Sequence, residues 1–354
     1  MPYEDSQRKQ ELDRVASIIR HWSPGFRARY GGELPEDYMT LDTETTGFDR
    51  ERDVIVEWGH TIVQDRQVTD QLGLVINWLN HPIVPDHWVR HRLAEVKHNM
   101  SQQGRSFRIT PEVMESEGVS PEKALRFIKQ LITTALTNDR ILVAHKGLLF
   151  DAEMIQANIE GFLSEPLFDE PPVPGGSCDE FPPDAIFDTG AVEKASQLVD
   201  NKRALPFANE TMADYFNRIV HWKAPGIKWN LDQHCFDKYR LSEKYGLDRK
   251  NMHSAKEDAY ALHLLFEEYR KIASRIQSSG GEGHTKGQET SSGYRAGDRY
   301  LQGPSSQDRP GTSQGSDRTG PSASSPDGES ESTPKMGQTR PRSEDRRRRG
   351  QKVR

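Results

Sequence analysis

Two carboxylates stand in an apolar strand near the start of the chain. The stretch MTLDTETTGF, residues 39–48, reads as a buried β-strand followed by a turn, and it carries Asp42 and Glu44. Side chains alternate along a strand, so both carboxylates face the same side of the sheet. A covered sheet tolerates two unpaired carboxylates only where a cation compensates them, and oxygen ligands favour Mg²⁺ or Mn²⁺ over zinc. An exposed strand end would hold the pair without a metal, so a metal site requires further acids to converge here.

Two later segments supply such acids. In ILVAHKGLLFDAEMI, Asp151 stands where an apolar strand runs into a helix; its alternative role is a favourable charge in the first helical turn. In NMHSAKEDAYALHLLF, Ser254 and Glu257 have the spacing of a capping box, so a helix is expected to begin at Ser254. His253 then lies just outside the helix and Asp258 in its first turns, both free to approach one site. A surface histidine and a cap-stabilising aspartate are the alternative.

The surrounding elements predict an α/β domain. An amphipathic helix is expected over residues 5–22, ending at Pro24 and Gly25, and three β-like runs, YMTLDTE, DVIVEWGHTIV and QLGLVINWL, indicate an antiparallel meander. A helix over residues 121–136, the strand RILVAH, a helix over residues 149–162 and the strand AIFDTG follow. This order implies a mixed sheet covered by helices. Residues 81–110 match no pattern clearly.

Two further segments are unusual. Residues 164–184 form a Pro/Gly-rich stretch that is long for a loop, and an insertion or a lid is expected. Residues 201–229 interleave cations and aromatic rings, which suits a surface for single-stranded nucleic acid; a helical hairpin that buries the rings is the alternative. The interleaved residues are Lys202, Arg203, Lys223 and Lys228 with Phe207, Tyr215, Phe216, Trp222 and Trp229.

The C-terminal part differs in composition from the rest. Residues 278–354 hold 14 of the 48 Lys and Arg but only 10 of the 54 Asp and Glu, with almost no aliphatic side chains, and they end in RRRRGQKVR. Such a segment is predicted to be a disordered tail that binds a polyanion or only aids solubility. Two cysteines are too few for a disulfide framework, and neither a membrane span nor a signal peptide is evident. A cytoplasmic protein without membrane contact is expected.

Together, these motifs resemble the DEDDh family of 3′→5′ exonucleases, which has the ribonuclease-H-like fold. The resemblance covers about residues 38–272 and includes LDTETTG, VAHKGLLFD, IFDT, NLDQHCFDKYRL and HSAKEDA. The sister DEDDy group would need Tyr where Ser254 stands. Two departures are evident: His145 lies six positions before Asp151, and insertions at residues 85–107, 164–184 and 201–229 exceed the compact core of the family.

The resemblance implies a mixed five-stranded sheet flanked by helices, with insertions and a disordered C-terminal tail. It divides the chain into an N-terminal helical extension (1–30), an exonuclease domain (31–275) and a basic-ended tail (276–354). It also implies the site. Two Mg²⁺ ions, which Mn²⁺ can replace, would be held by Asp42, Glu44, Asp151 and Asp258. The resemblance further implies that His253 removes a proton from the attacking water, that Glu44 orients this water, and that the substrate contacts are Thr45, Gly47, Phe48 and His145.

The implied activity is removal of nucleoside 5′-monophosphates from the 3′ ends of single-stranded DNA, in proofreading or repair. An RNA-trimming exonuclease of the same family is the first alternative, because discrimination depends on sugar contacts. A non-catalytic module that binds single strands is the alternative of another class. No polymerase module is evident in the sequence, so proofreading would require a separate DNA polymerase as a partner.

Overall fold

The computed structural model describes residues 5–30, 34–182, 184–198, 201–207, 210–227 and 229–279. The last helix reaches Ser279. The remainder of the predicted tail, including RRRRGQKVR, therefore lies outside the described residues. None of the helices in the described part of the chain combines the length and apolar character that a membrane span needs.

A mixed five-stranded sheet forms the centre of the fold. Its strands are β1 (Tyr38–Thr45), β2 (Ile55–Gln64), β3 (Gln67–Val75), β4 (Ile141–Ala144) and β5 (Ile186–Asp188), in the order β3-β2-β1-β4-β5. Strands β1, β2 and β3 form the predicted antiparallel meander, while β4 pairs in parallel with both β1 and β5. The predicted α/β fold, a mixed five-stranded sheet flanked by helices, is confirmed.

Helices cover both faces of the sheet. They are α1 (Asp5–Tyr30), α2 (Asp86–Gln102), α3 (Pro111–Glu117), α4 (Pro121–Thr137), α5 (Asp151–Leu163), α6 (Thr189–Gln197), α7 (Met212–Val220), α8 (Phe236–Tyr239), α9 (Leu241–Tyr245) and α10 (Ala255–Ser279). Alternate residues of β1 belong to two separate cores: Tyr38 packs with α1, α6, α7 and α10, whereas Met39 and Leu41 pack with α2, α3, α4 and α5. By this alternation, Asp42 and Glu44 face the side that α10 covers.

Two expectations about helices were wrong or incomplete. Helix α1 continues past Pro24 and Gly25 to Tyr30, so neither residue ends it, although a proline removes a backbone donor from the helix. Residues 81–110, which the sequence left unassigned, contain the 17-residue helix α2. This helix buries only Val89 and Leu93 fully, so its apolar pattern is too sparse to reveal a helix.

The segment 201–229 buries part of its aromatic content. Tyr215 and Phe216 lie on α7 and are completely buried in the core beneath α10, so these two rings follow the burial alternative, on one helix rather than a helical hairpin. The Trp229 ring lies 4.9 Å from Lys146 Nζ and 4.8 Å from Lys194 Nζ. Lys228 falls outside the described residues.

Candidate active site

Strand β1 and helix α10 bring the first acids together. Asp42 and Glu44 are half-buried near the end of β1, and in the neighbouring strand β2 Gly59 lies opposite Asp42. A side chain at Gly59 would overlap with the backbone of Ala255, the first residue of α10. The glycine therefore lets the start of α10 rest directly on the sheet, beside the two carboxylates.

Asp151 reaches the same region from the next strand. It is the first residue of α5, which follows β4, the parallel neighbour of β1. Its buried carboxylate accepts hydrogen bonds at Oδ1 from the Thr43 backbone N–H (3.1 Å) and from Thr43 Oγ1 (2.6 Å). The prediction that Asp151 lies near the start of a helix after an apolar strand is confirmed, although the helix begins at Asp151 rather than at residue 149. Its carboxylate is fixed against β1.

His253 and Asp258 complete the cluster. Helix α10 begins directly after Ser254, as predicted, so His253 stands before the helix, with a left-handed backbone (φ +72°). Its N–H donates to Asp258 Oδ2 over 3.2 Å. Glu44, His253 and Asp258 each place a potential ligand atom within 4.8 Å of the others. Beyond burial, the charges of Asp258, Asp151 and Glu44 raise the pKa of Asp42. The four predicted carboxylates therefore lie close enough to interact, and His253 lies beside two of them.

Burial and mutual repulsion disfavour ionisation of these acids. Burial, followed by the charges of neighbouring carboxylates, raises the pKa of both Asp42 and Glu44 well above their ordinary values. Burial also raises the pKa of Asp151 and of Asp258 to about 7, although hydrogen bonds from Thr43 partly oppose this at Asp151 and the charge of His253 opposes it at Asp258. A bound cation would reverse these shifts by favouring the ionised carboxylates.

The residues present fit a divalent metal. Asp258 Oδ1 is buried and has no hydrogen-bond partner within the described part of the chain, and a buried carboxylate oxygen is costly without one. The cluster offers carboxylate oxygens, the ligands that Mg²⁺ and Mn²⁺ prefer. An ion bound here would supply the missing partner.

The turn after β1 packs against the ion pair between Arg92 and Asp53 and exposes an aromatic ring. Phe48 is 90% exposed, and its ring centroid lies 5.4 Å from that of Phe150. Thr45 Oγ1 donates to the Gly47 carbonyl (2.7 Å). A side chain at Gly47 would overlap with the ion pair between Arg92 and buried Asp53, so close packing, rather than an unusual backbone angle, requires glycine here.

His145 lies apart from this turn, at the end of β4. Its Nδ1 is 2.9 Å from Thr189 Oγ1 and its Nε2 is 2.5 Å from the Trp229 carbonyl. Burial lowers the pKa of His145 to about 4, so the ring is neutral near pH 7 and both nitrogens contact protein groups. The roles of Thr45, Gly47, Phe48 and His145 as substrate contacts stay predictions.

A further acid, Glu57, lies beside the predicted carboxylates and was not among the predicted site residues. It lies opposite Glu44 in β2 and is completely buried. Its carboxylate accepts hydrogen bonds from Arg108 Nη2 (2.8 Å), Ser254 Oγ (3.2 Å) and the Ala255 N–H (3.3 Å). Glu57 thus ties the start of α10 to the sheet. The detectable signal was a lone glutamate inside the apolar run DVIVEWGHTIV.

Asp232 contacts His253, and Arg105 contacts Asp232 in turn. Asp232, from the short π-helical turn Leu231–Cys235, has its Oδ2 3.4 Å from His253 Nε2 and its Oδ1 3.0 Å from Arg105 Nη2. Arg105 comes from the loop between α2 and α3, and its positive charge lowers the pKa of Glu44 against the effects of burial and neighbouring acids. Nothing in the spacing of Arg105 or Asp232 marked either residue.

Comparisons with known proteins give structural likenesses alone. No protein-family model matches the sequence, and no curated protein matches it. Exonuclease I of E. coli, solved with a dA16 oligonucleotide, aligns with a TM-score of 0.42 and 12% identity over 69% of this chain and 42% of that chain. Its complex with a dT13 oligonucleotide gives 0.40 and 14% over 69% and 43%. Exonuclease I from Methylocaldum szegediense gives 0.41 and 13% over 68% and 43%. In each case the alignment spans less than half of the other protein.

Proposed function

We propose that this protein is a metal-dependent 3′→5′ exonuclease that hydrolyses terminal phosphodiesters of single-stranded DNA and releases nucleoside 5′-monophosphates. The observation that carries the proposal is the close grouping of Glu44, His253 and Asp258, with Asp42 and Asp151 near enough to repel them. One buried Asp258 oxygen in this group lacks a hydrogen-bond partner among the described residues. Acids that repel one another in a largely buried site are costly to keep ionised, and a pair of divalent ions would balance their charge.

Asp42, Glu44, Asp151 and Asp258 would hold the two Mg²⁺ ions, which Mn²⁺ can replace. When bound, such ions lower the pKa of an attacking water and offset charge on the leaving 3′-oxygen. His253 accepts the proton of this water at a ring nitrogen, a task suited to imidazole near neutral pH. Glu44, beside His253, orients the same water.

The turn after β1 holds the 3′ end of the single-stranded DNA. Phe48 offers an exposed ring for stacking on a base, an interaction that does not depend on base identity. Gly47 and Thr45 border the same turn and contact the terminal nucleotide. The preference for DNA follows the resemblance to proofreading-type exonucleases, in which case a separate DNA polymerase is the expected partner.

The decisive experiment uses 5′-labelled single-stranded DNA and RNA of the same sequence, each incubated with the protein and Mg²⁺. The expected result is a ladder of DNA products shortened from the 3′ end, together with nucleoside 5′-monophosphates. Faster shortening of RNA would favour the RNA-trimming alternative. Inertness toward both strands, with folded protein and with either Mg²⁺ or Mn²⁺, would refute an exonuclease.

Asp42→Ala provides the catalytic control. Loss of one ligand should abolish turnover while leaving much of the strand binding intact, because Phe48 and the basic segments remain. Glu36→Gln, at an exposed position before the start of β1 and so at the opposite end of that strand from Asp42, is the matched change that should leave turnover unaltered. A non-catalytic binding module instead predicts that Asp42→Ala leaves the affinity for single-stranded DNA unchanged and that neither protein shows turnover.

A further inference from the structure

We propose that Asp232 is a positioning residue for His253, and that Arg105 holds Asp232 in place. The inference rests on the proposed function, because His253 acts there as the proton acceptor. It adds two residues to the predicted site set: Asp232, in the turn before α8 and within the stretch NLDQHCFDKYRL, and Arg105, in the loop between α2 and α3. The chain of contacts runs from Arg105 through Asp232 to the imidazole of His253.

The contacts are direct and largely shielded from water. The two oxygens of Asp232 divide between the partners: Oδ1 accepts from Arg105 Nη2 over 3.0 Å, and Oδ2 lies 3.4 Å from His253 Nε2. The side chains of Asp232 and His253 are 13% and 14% exposed. Water therefore has little access to compete for the contact between the Asp232 carboxylate and the imidazole.

His253 needs such a partner because it lies outside the helix. It stands between the 3₁₀ turn Arg249–Asn251 and α10, in a left-handed conformation that is uncommon for histidine. Its backbone N–H donates to Asp258, a contact that holds the main chain but does not itself set the orientation of the ring. The Asp232 carboxylate selects one ring orientation and one tautomer, as carboxylates do for other functional histidines.

Arg105 supplies the other half of the arrangement. Its backbone N–H donates to the Met100 carbonyl at the end of α2 over 2.9 Å, so the main chain that carries the guanidinium is anchored. The Arg105 side chain is 18% exposed. Arg105 therefore holds the Asp232 oxygen that does not contact His253. Rotation of Asp232 away from His253 would also break its contact with Arg105.

A double-mutant cycle tests the inference. Asp232→Asn keeps the shape but weakens the hold on the imidazole, and should lower kcat about 10- to 100-fold while leaving KM for the strand nearly unchanged. In a His253→Ala background, the same change should have no further effect, since Asp232 acts through that ring. Asp237→Asn is the control. It changes an aspartate close to Asp232 in the sequence and breaks a more exposed pair, with Arg249, so it should leave kcat unaltered. An unchanged kcat in Asp232→Asn, or an equal loss with and without His253, would overturn the proposal.

A second measurement does not require catalysis. Ring ¹⁵N resonances of His253 in metal-free protein, assigned by their absence in His253→Ala, report tautomer and hydrogen bonding. Asp232→Asn and Arg105→Ala should both shift them, and Asp237→Asn should not. If the wild-type protein shows no turnover, the proposed function fails, yet these shifts still reveal whether Asp232 positions the ring. Resonances that stay in place in Asp232→Asn would refute the positioning role.

Discussion

Without divalent ions, the folded protein should lose stability as the pH rises from about 5 to about 8. Burial raises the pKa of Asp151 and of Asp258 from 3.8 to about 7, whereas in the unfolded chain aspartates ionise near pH 4. Between these values the native state binds more protons than the unfolded state. The free energy of unfolding therefore falls with rising pH, opposite to the behaviour of a carboxylate in a favourable ion pair.

The size of the effect follows from the shift. A pKa raised from 3.8 to about 7 corresponds to about 4 kcal/mol for one buried aspartate, of which about 3 kcal/mol is lost between pH 5 and pH 8. A proton bound to one carboxylate relieves its neighbours, so the total is closer to the contribution of one or two groups than of four. Mg²⁺ should restore most of the loss at pH 8, because it binds the ionised native cluster.

Asp42→Asn should separate charge repulsion from other effects of pH. The substitution removes one charge from the cluster without changing its shape, so the metal-free variant should be more stable than wild type at pH 8 by about 1–3 kcal/mol, and similar at pH 5. Its gain from Mg²⁺ should be smaller. Glu51→Gln, at an exposed position, should match wild type at both pH values.

Urea unfolding followed by tryptophan fluorescence, in chelator and then in Mg²⁺, measures these differences; the chain has 6 tryptophans. A free energy of unfolding that stays constant or rises over this pH range in chelator would contradict the raised pKa values of Asp151 and Asp258. An Asp42→Asn protein less stable than wild type at pH 8 would contradict the repulsion within the cluster, since that result would mean that the Asp42 carboxylate is stabilised by hydrogen bonds rather than destabilised by repulsion.

Three further changes test other parts of the structure. Phe48→Ala should raise KM for single strands about tenfold, the scale of one stacked base, with unfolding unchanged because the ring is 90% exposed; unaltered kinetics would refute the stacking role. Truncation after Ser279 should weaken binding of single-stranded DNA at low salt and make that binding less dependent on salt. Loss of all turnover would contradict a tail that serves only to bind the nucleic acid. Gly59→Ala should cost about 3 kcal/mol in urea unfolding, because the methyl group would overlap with the Ala255 backbone.

The parts of the site that follow strand periodicity were predictable from sequence. Asp42 and Glu44 share one face because alternation in a strand is strict, and Asp151 was placed by the change from an apolar strand to a helix. His253 and Asp258 were located by a helix start that the structure confirms at Ala255. Local patterns determine these positions, so the five residues could be named before their contacts were known.

The residues that depend on tertiary contact could not be predicted. Arg105 lies beyond a helix whose pattern is weak, and Asp232 lies in a five-residue turn of π-helical geometry; each gains its meaning only from the position of His253. Glu57 was within reach, because a glutamate in an apolar strand poses the same question as Asp42. Its partners Arg108 and Ala255 are distant in sequence, so its capping of α10 required the structure.

The same contacts bear on the choice between an enzyme and a module that only binds strands. A binding surface needs exposed rings and cations. Tyr215 and Phe216 are fully buried, but Phe48 and Phe207 are exposed, so the rings alone do not separate the two functions. The acidic cluster does separate them, because it would repel a phosphate unless cations intervene. The two functions therefore predict opposite roles for metal. The test compares how strongly affinity for single-stranded DNA depends on Mg²⁺ in two proteins. Asp42→Asn, which prevents turnover, is measured with a strand bearing a 3′-hydroxyl, and wild type is measured with a strand whose terminal linkage cannot be hydrolysed. If the cluster is catalytic, the affinity of Asp42→Asn should depend less on Mg²⁺ than that of wild type. If the protein only binds strands, chelator should leave both affinities unchanged.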